Sequence, residues 1–164
     1  MAKDICSVLD RALADFDQMR SREGQRLKDD VLSRAKTIED KVALVEERSP
    51  QTVAEYRTKL EARMTEVLSN TQLDPARILT EAAIFADKVA VDEETVRLRS
   101  HIGQLREMLD KGGATGRKLD FLIQEFNREA NTIGSKCSDV ALSRVVVELK
   151  GEIEKIREQV QNIE

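Results

Sequence analysis

The sequence predicts an all-α fold, and three observations carry that expectation. Seven glycines and two prolines in 164 residues leave the chain few places to turn. Charged residues make up 35 % and hydrophobic residues 40 %, the mixture that long amphipathic helices need. Apolar residues recur at steps of three and four with no β alternation of useful length, and even Val145-Val146-Val147 sits inside a helical period.

Five helices follow in order. The first runs from about Asp4 to Glu47, with Ile5, Val8, Ala12, Phe16 and Met19, then Leu27, Val31, Ile38, Val42 and Val45, at the spacing of a coiled-coil seam. A kink or short break is expected at Ser21-Arg22-Glu23-Gly24, where glycine costs about 1 kcal/mol against alanine. Ser49-Pro50 reads as a hydroxyl N-cap followed by proline at the first helical position. It opens a second helix carrying Val53, Tyr56, Leu60, Met64 and Val67, which ends at Asn70-Thr71-Gln72. Asp74-Pro75 repeats the start signal for a third, with Ile78, Ala82, Phe85 and Val89, then Leu98, Ile102, Leu105 and Leu109. Its stripe changes register near Asp92-Glu93-Glu94, which predicts a bend. After the glycine loop of residues 111–116, a fourth helix runs from Arg117 to about Ser135. The fifth starts near Asp139 with the cleanest heptad: Leu142, Val146, Leu149, Ile153, Ile156, Val160 and Ile163. The short Arg48-Ser49 connection predicts that helices one and two fold into a long antiparallel hairpin. Residues 1–72 would then be a coiled-coil assembly arm, and residues 73–164 a compact helical bundle.

Composition removes several functions. One histidine, His101, rules out a multi-histidine metal site, and two cysteines, Cys6 and Cys137, cannot form a four-cysteine zinc site or a disulfide framework. Such sparse cysteine suits a reducing cytosol. Aromatic residues at 3 % and no tryptophan argue against a base-stacking platform. A net charge of −4 argues against a DNA coat, so any nucleic-acid contact is local. No apolar run is long enough to span a membrane and no signal peptide precedes the first helix, so a soluble, cytoplasmic protein is expected.

The candidate site lies on helices three and four. On helix four, Leu119, Leu122, Ile123, Phe126, Ala130 and Ile133 form the apolar face. Beside it, Asp120, Gln124, Asn127 and Asn131 form a stripe of one acid and three amides, suited to phosphates, bases or backbones, or to bonding neighbouring helices. Glu125 and Glu129, four apart, project from one side and can share a divalent cation. The ordinary alternative is an intrahelical pair with Arg128, worth about 0.2–0.5 kcal/mol. On helix three, Glu94, Arg97 and His101 share a face; the imidazole suits a metal ligand or a proton carrier, or is a plain surface histidine. The glycine loop lacks the ending of a P-loop and needs no role beyond a turn. Arg117, Lys118, Arg128 and Lys136 stand against Asp120, Glu125 and Glu129, a slight positive bias.

The run GRKLDFLIQEFNREANTIGSK, Gly116 to Lys136, resembles the signature of the YicC family of bacterial proteins. The ending ELKGEIEKIREQVQNIE, Glu148 to Glu164, is similar to that family's C-terminus, and EETVRLRSHI, Glu93 to Ile102, to its E-E-x-x-R-L-x-x-H segment. The resemblance covers the chain from about Ala14 and only the C-terminal part of the family's architecture, which includes a further N-terminal α/β domain; a C-terminal fragment is expected. It implies a metal-dependent endoribonuclease that acts on RNA and assembles as a homo-oligomer, a hexamer in the full-length protein, with no DNA or membrane partner. It further implies His101, Glu125 and Glu129 as the catalytic ligands of a divalent ion, Mn²⁺ or Mg²⁺, with Glu94 a fourth ligand or a partner of Arg97. Asn127, Arg128 and Asn131 would engage the sugar-phosphate backbone, with Arg97, Arg117 and Lys136 nearby. Cleavage would be hydrolysis by an activated water, or attack of the 2′-OH with His101 as general base. The competing expectation is a non-catalytic oligomerisation or RNA-binding module that needs the missing domain for activity.

Overall fold

A computed structural model describes residues 2–67, 75–113 and 116–161. Among them the chain is all-α, as the periodicity predicts, and forms five helices whose bounds differ from the expected ones: α1 (Ala2–Val67), α2 (Pro75–Val89), α3 (Asp92–Lys111), α4 (Gly116–Lys136) and α5 (Val140–Val160). Asn70-Thr71-Gln72, Asp74, Ala114-Thr115 and the last residues, Ile163 included, lie outside the described residues.

The breaks fall differently from the expectation in three places. Ser49-Pro50 does not open a second helix: α1 runs through it for 66 residues, with Pro50 inside. A proline in a helix interior removes one backbone hydrogen bond and costs about 3 kcal/mol. Contacts on both sides of it offset that cost. Val45 and Thr52 are buried, and the Arg48 guanidinium reaches Glu55 at 2.7 Å, one helical turn past the proline. Arg48 also pairs at 2.7 Å with Asp139, which anchors this stretch to the start of α5. Gly24 breaks nothing either; α1 is continuous there. The third difference is the predicted bend, which is a full break two residues earlier, at Ala90-Val91. Asp92, Glu93 and Glu94 then form an acidic first turn for α3, favourable at the positive end of the helix dipole.

Because α1 does not turn at Pro50, the expected hairpin of helices one and two does not form, and the N-terminal third of α1 has no partner helix among the described residues. Ile5, Val8, Phe16 and Met19, predicted as seam, are exposed, Phe16 at 49 % and Val8 at 69 %, as is Ala12. The seam becomes buried only from Val31 onward, where Val31, Ala35, Ile38, Val42 and Val45 enter one cluster with α3, α4 and α5.

The packing is cyclic: α1 lies against α3 and α5, α3 against α4, and α4 against α5. Four helices therefore enclose one core, and each presents a single apolar stripe to it. All six apolar positions predicted for α4 are buried, as are the α5 heptad positions from Leu142 to Val160. Ion pairs fix the register of α1: Lys28 with Asp110, Arg34 with Glu152, Arg99 with Glu46 and Arg106 with Glu39. The helix α2 packs back on α1, where Tyr56 and Phe85 stack with centroids 3.8 Å apart. Asp139 caps α5 by accepting a hydrogen bond from the Ala141 amide at 3.0 Å.

Candidate metal centre and nucleic-acid interface

The α3–α4 contact is antiparallel, so residues that rise along α3 meet residues that descend along α4. Along one edge this brings polar groups into three successive steps. Glu94 meets Lys136, Arg97 meets Glu129, and His101 meets Glu125 and Glu129.

At the third step, one ligand atom from each of His101, Glu125 and Glu129 lies within 4.8 Å of the others. Two ligands on opposite sides of a small divalent cation at about 2.1 Å would stand about 4.2 Å apart. Three ligands cannot all be opposite one another and would stand about 3.0–3.6 Å apart, so the side chains must draw together by roughly 1 Å to enclose one. Burial sharpens the chemistry. The Glu129 side chain is 3 % exposed, and its nearest cation, the Arg97 guanidinium, stands 3.8 Å away. Two carboxylates held this close repel one another unless positive charge is placed between them. His101 Nδ1 is buried without a hydrogen-bond partner, a condition that costs about 1–3 kcal/mol and that a cation or a substrate proton would relieve. The imidazole lies beside Phe126, centroid to centroid 6.3 Å, so apolar packing limits where the ring can turn. On these observations the three residues fit a divalent cation.

The other expected residues are placed as follows. Glu94 is buried and accepts a hydrogen bond from Lys136 Nζ at 2.8 Å, while its second oxygen has no partner. It is not one of the three clustered residues, and Arg97 pairs with Glu93 and Glu129 rather than with it. Arg128 is exposed, 3.6 Å from Glu125, so the ordinary intrahelical pair forms as well as the cluster. Asn127 and Asn131 lie on the other flank of α4, facing a groove shared with α5. Arg117 is eight residues before Glu125, about 12 Å along the helix. It lines a separate hollow with Asp120 and the end of α5. Within the amide stripe, Gln124 donates to Asp120 at 3.1 Å. Cys137 is partly buried; burial first, then the neighbouring Asp139 charge, pushes its thiol up from the ordinary range.

Sequence reasoning did not foresee the burial of Glu129 or the Glu94–Lys136 pair. An available signal was position: Glu129 directly precedes Ala130, at the border of the apolar face.

The family model described as "Endoribonuclease YicC-like, C-terminal" matches residues 45–164. A protein of Clostridioides difficile named "Probable endoribonuclease YicC" is 47 % identical over 158 residues, which cover 96 % of this chain and 54 % of that protein. A protein of Haemophilus influenzae with the same name is 39 % identical over 164 residues, 100 % of this chain and 56 % of that protein. The chain spans about half the length of the curated relatives it matches.

Proposed function

This chain belongs to the YicC-like endoribonuclease family, and from that premise we propose that it carries the cation-binding and phosphodiester-cleaving groups of a metal-dependent endoribonuclease acting on RNA. The observation that supports this reading is the convergence of His101, Glu125 and Glu129 from two helices within 4.8 Å, in a cluster whose histidine has a buried Nδ1 without a hydrogen-bond partner. Glu125, Glu129 and His101 would hold a divalent cation, Mn²⁺ or Mg²⁺. When bound, it supplies charge neutralisation and Lewis acidity at a phosphate. The buried Glu129 is fixed by its packing, while the half-buried Glu125 faces the approach from solvent. Arg97, half exposed beside Glu129, brings positive charge to the same edge. Arg128 does so from the outer side of Glu125.

Two cleavage routes use this set. In one, the carboxylates of Glu125 and Glu129 would hold a cation that would supply the charge to activate water for hydrolysis. In the other, His101 takes the proton of the ribose 2′-OH, and the product ends in a cyclic phosphate. The test is cleavage of a fluorescent RNA hairpin by the purified chain, with Mn²⁺ and with EDTA, beside the Glu125→Gln/Glu129→Gln variant. Metal-dependent cutting that the variant loses is the expected result, and the 3′ end of the product separates the routes. A folded chain that binds RNA and cuts none in Mn²⁺ overturns the catalytic reading.

The exposed apolar stripe from Ile5 to Met19 favours a second reading, a homo-oligomerising RNA-binding module without catalysis of its own. In that case the same variant sediments as wild type, and replacing Val8 and Phe16 with serine shifts the sedimentation coefficient downward. Among the described residues, no helix is long and apolar enough to cross a membrane.

A further inference from the structure

Among the described residues, Arg97 is the one cation paired with the buried carboxylate of the cluster, and it is held from two sides. Its guanidinium stands 3.8 Å from Glu129 and pairs on the outside with Glu93, one turn earlier on α3. The two acids differ in kind. Glu129 is 3 % exposed, so its attraction is weakly screened, whereas Glu93 is 70 % exposed and its pair with Arg97 adds little. The inward hold therefore dominates. Arg97 itself is 47 % exposed and lies outside the apolar core, so an outward turn of its side chain needs no repacking there. The other cations of this edge are committed elsewhere: Lys136 is fixed on the buried Glu94 at 2.8 Å, and Arg128 stands outside Glu125 at 3.6 Å.

Glu129 thus has two claims on one charge. It is a member of the cluster that fits a divalent cation, and it is the inward partner of Arg97. It cannot serve both with full strength: charge given to one cation is withdrawn from the other, and the two cations repel at this range. With the cluster loaded, Arg97 keeps only Glu93, at the solvent face. A guanidinium in that position is suited to phosphate, because its planar fork matches two phosphate oxygens.

We infer that Arg97 is a cation-gated phosphate clamp: Glu129 holds it inward in the cation-free chain, and loading of the cluster releases it to grip the RNA backbone. This rests on the proposed cation-dependent action on RNA and adds a condition to it. The family resemblance puts Arg97 near RNA; the pairing with Glu129 determines when it is free to act. Linkage makes the gate reciprocal, so RNA raises the cation affinity of the chain by the same factor as the cation raises its RNA affinity.

The test is a double-mutant cycle on RNA affinity, read by fluorescence anisotropy of a short single-stranded 2′-O-methyl RNA in EDTA, so that neither cleavage route cuts it. Glu129→Gln stands in for the loaded cluster, because it removes the charge that holds Arg97. It is expected to tighten binding about five- to tenfold, and in an Arg97→Gln background the same change gives less than about twofold. Arg97→Gln alone stays within about twofold of wild type in EDTA, where the guanidinium is held. Circular dichroism melts check that each variant is folded at the assay temperature, and Arg97→Met replaces Arg97→Gln if that variant is not. A gain from Glu129→Gln that survives the loss of Arg97 is plain removal of a negative charge and overturns the inference. So does the absence of any gain, or a chain that binds no RNA. Electron paramagnetic resonance titration with Mn²⁺, with Glu125→Gln as control, reports the cation reading by itself. Mn²⁺ held by the cluster beside an uncoupled cycle removes only the clamp; a cluster that takes no Mn²⁺ removes the reading beneath it as well.

Discussion

Replacing Glu129 by glutamine is expected to leave the cation-free protein almost as stable as wild type and to remove its response to Mn²⁺. The first half follows from two opposing terms. The Glu125 carboxylate, within 4.8 Å, repels Glu129 by about 3–4 kcal/mol at an effective dielectric of about 20. The Arg97 guanidinium at 3.8 Å attracts it by about 4 kcal/mol on the same scale. Solvent reaches Arg97 and Glu125 and reduces both figures, so the difference stays within about 1 kcal/mol, or about 2–4 °C in Tm. The second half follows from linkage. A cation bound only to the folded chain at a hundred times its Kd adds about 2.7 kcal/mol, a rise of about 5–10 °C for a chain of this length. Thermal melts followed by circular dichroism, in EDTA and in Mn²⁺, measure all four states. Arg97→Ala gives the converse. It leaves the two carboxylates unbalanced, lowers Tm in EDTA by about 3–8 °C, and gains more from Mn²⁺ than wild type does. A Glu129→Gln protein that keeps the full Mn²⁺ shift would refute the assignment of the cation to this cluster.

Three further outcomes test the fold around that edge. Pro50→Ala restores a backbone donor inside α1 and is expected to raise stability by about 1–3 kcal/mol in urea unfolding; a loss would mean that residues 49–50 turn. The Asp139 carboxyl is held below its ordinary value first by the Arg48 hydrogen bond, then by the Ala141 amide. Its folded pKa is thus below its unfolded one, so its stabilisation is present above about pH 4 and fades as pH falls through the lowered value. Asp139→Ala is expected to cost about 0.5–2 kcal/mol at pH 7, and the gap from wild type closes in melts taken at decreasing pH below 4. Phe126→Ala, a fully buried ring beside His101, is expected to cost about 3–5 kcal/mol, read as a lower urea midpoint at unchanged slope.

Much of the fold was legible because it rests on local periodicity. The faces of α4 and α5 each bury one stripe against a core, and a 3.6-residue repeat reports that directly. The Ser49-Pro50 signal misled because a helix start and a tolerated interior proline share the same local sequence. What separates them is Arg48 reaching Asp139, 91 residues away in the chain, and no local reading contains that contact. The exposed Ile5 and Phe16 carried a seam pattern for the same reason: periodicity says that a face is apolar, not what covers it.

The cluster was half legible. The four-residue spacing of Glu125 and Glu129 put both carboxylates on one side of α4, but whether His101 stood opposite them depended on the α3–α4 register. That register is set by the apolar faces of the two helices, with Leu98, Ile102 and Leu105 on α3 and Leu122, Phe126 and Ala130 on α4 all buried in one core. A shift of one turn, about 5.4 Å, would carry His101 beyond the reach of Glu129. The geometry at the edge is therefore a consequence of packing in the interior. A core change such as Phe126→Ala should loosen the Mn²⁺ response even where the three ligands are intact, and Glu125→Gln should abolish that response with the core unchanged. Comparing the Mn²⁺ shift in those two variants separates positioning by the bundle from ligation by the side chains.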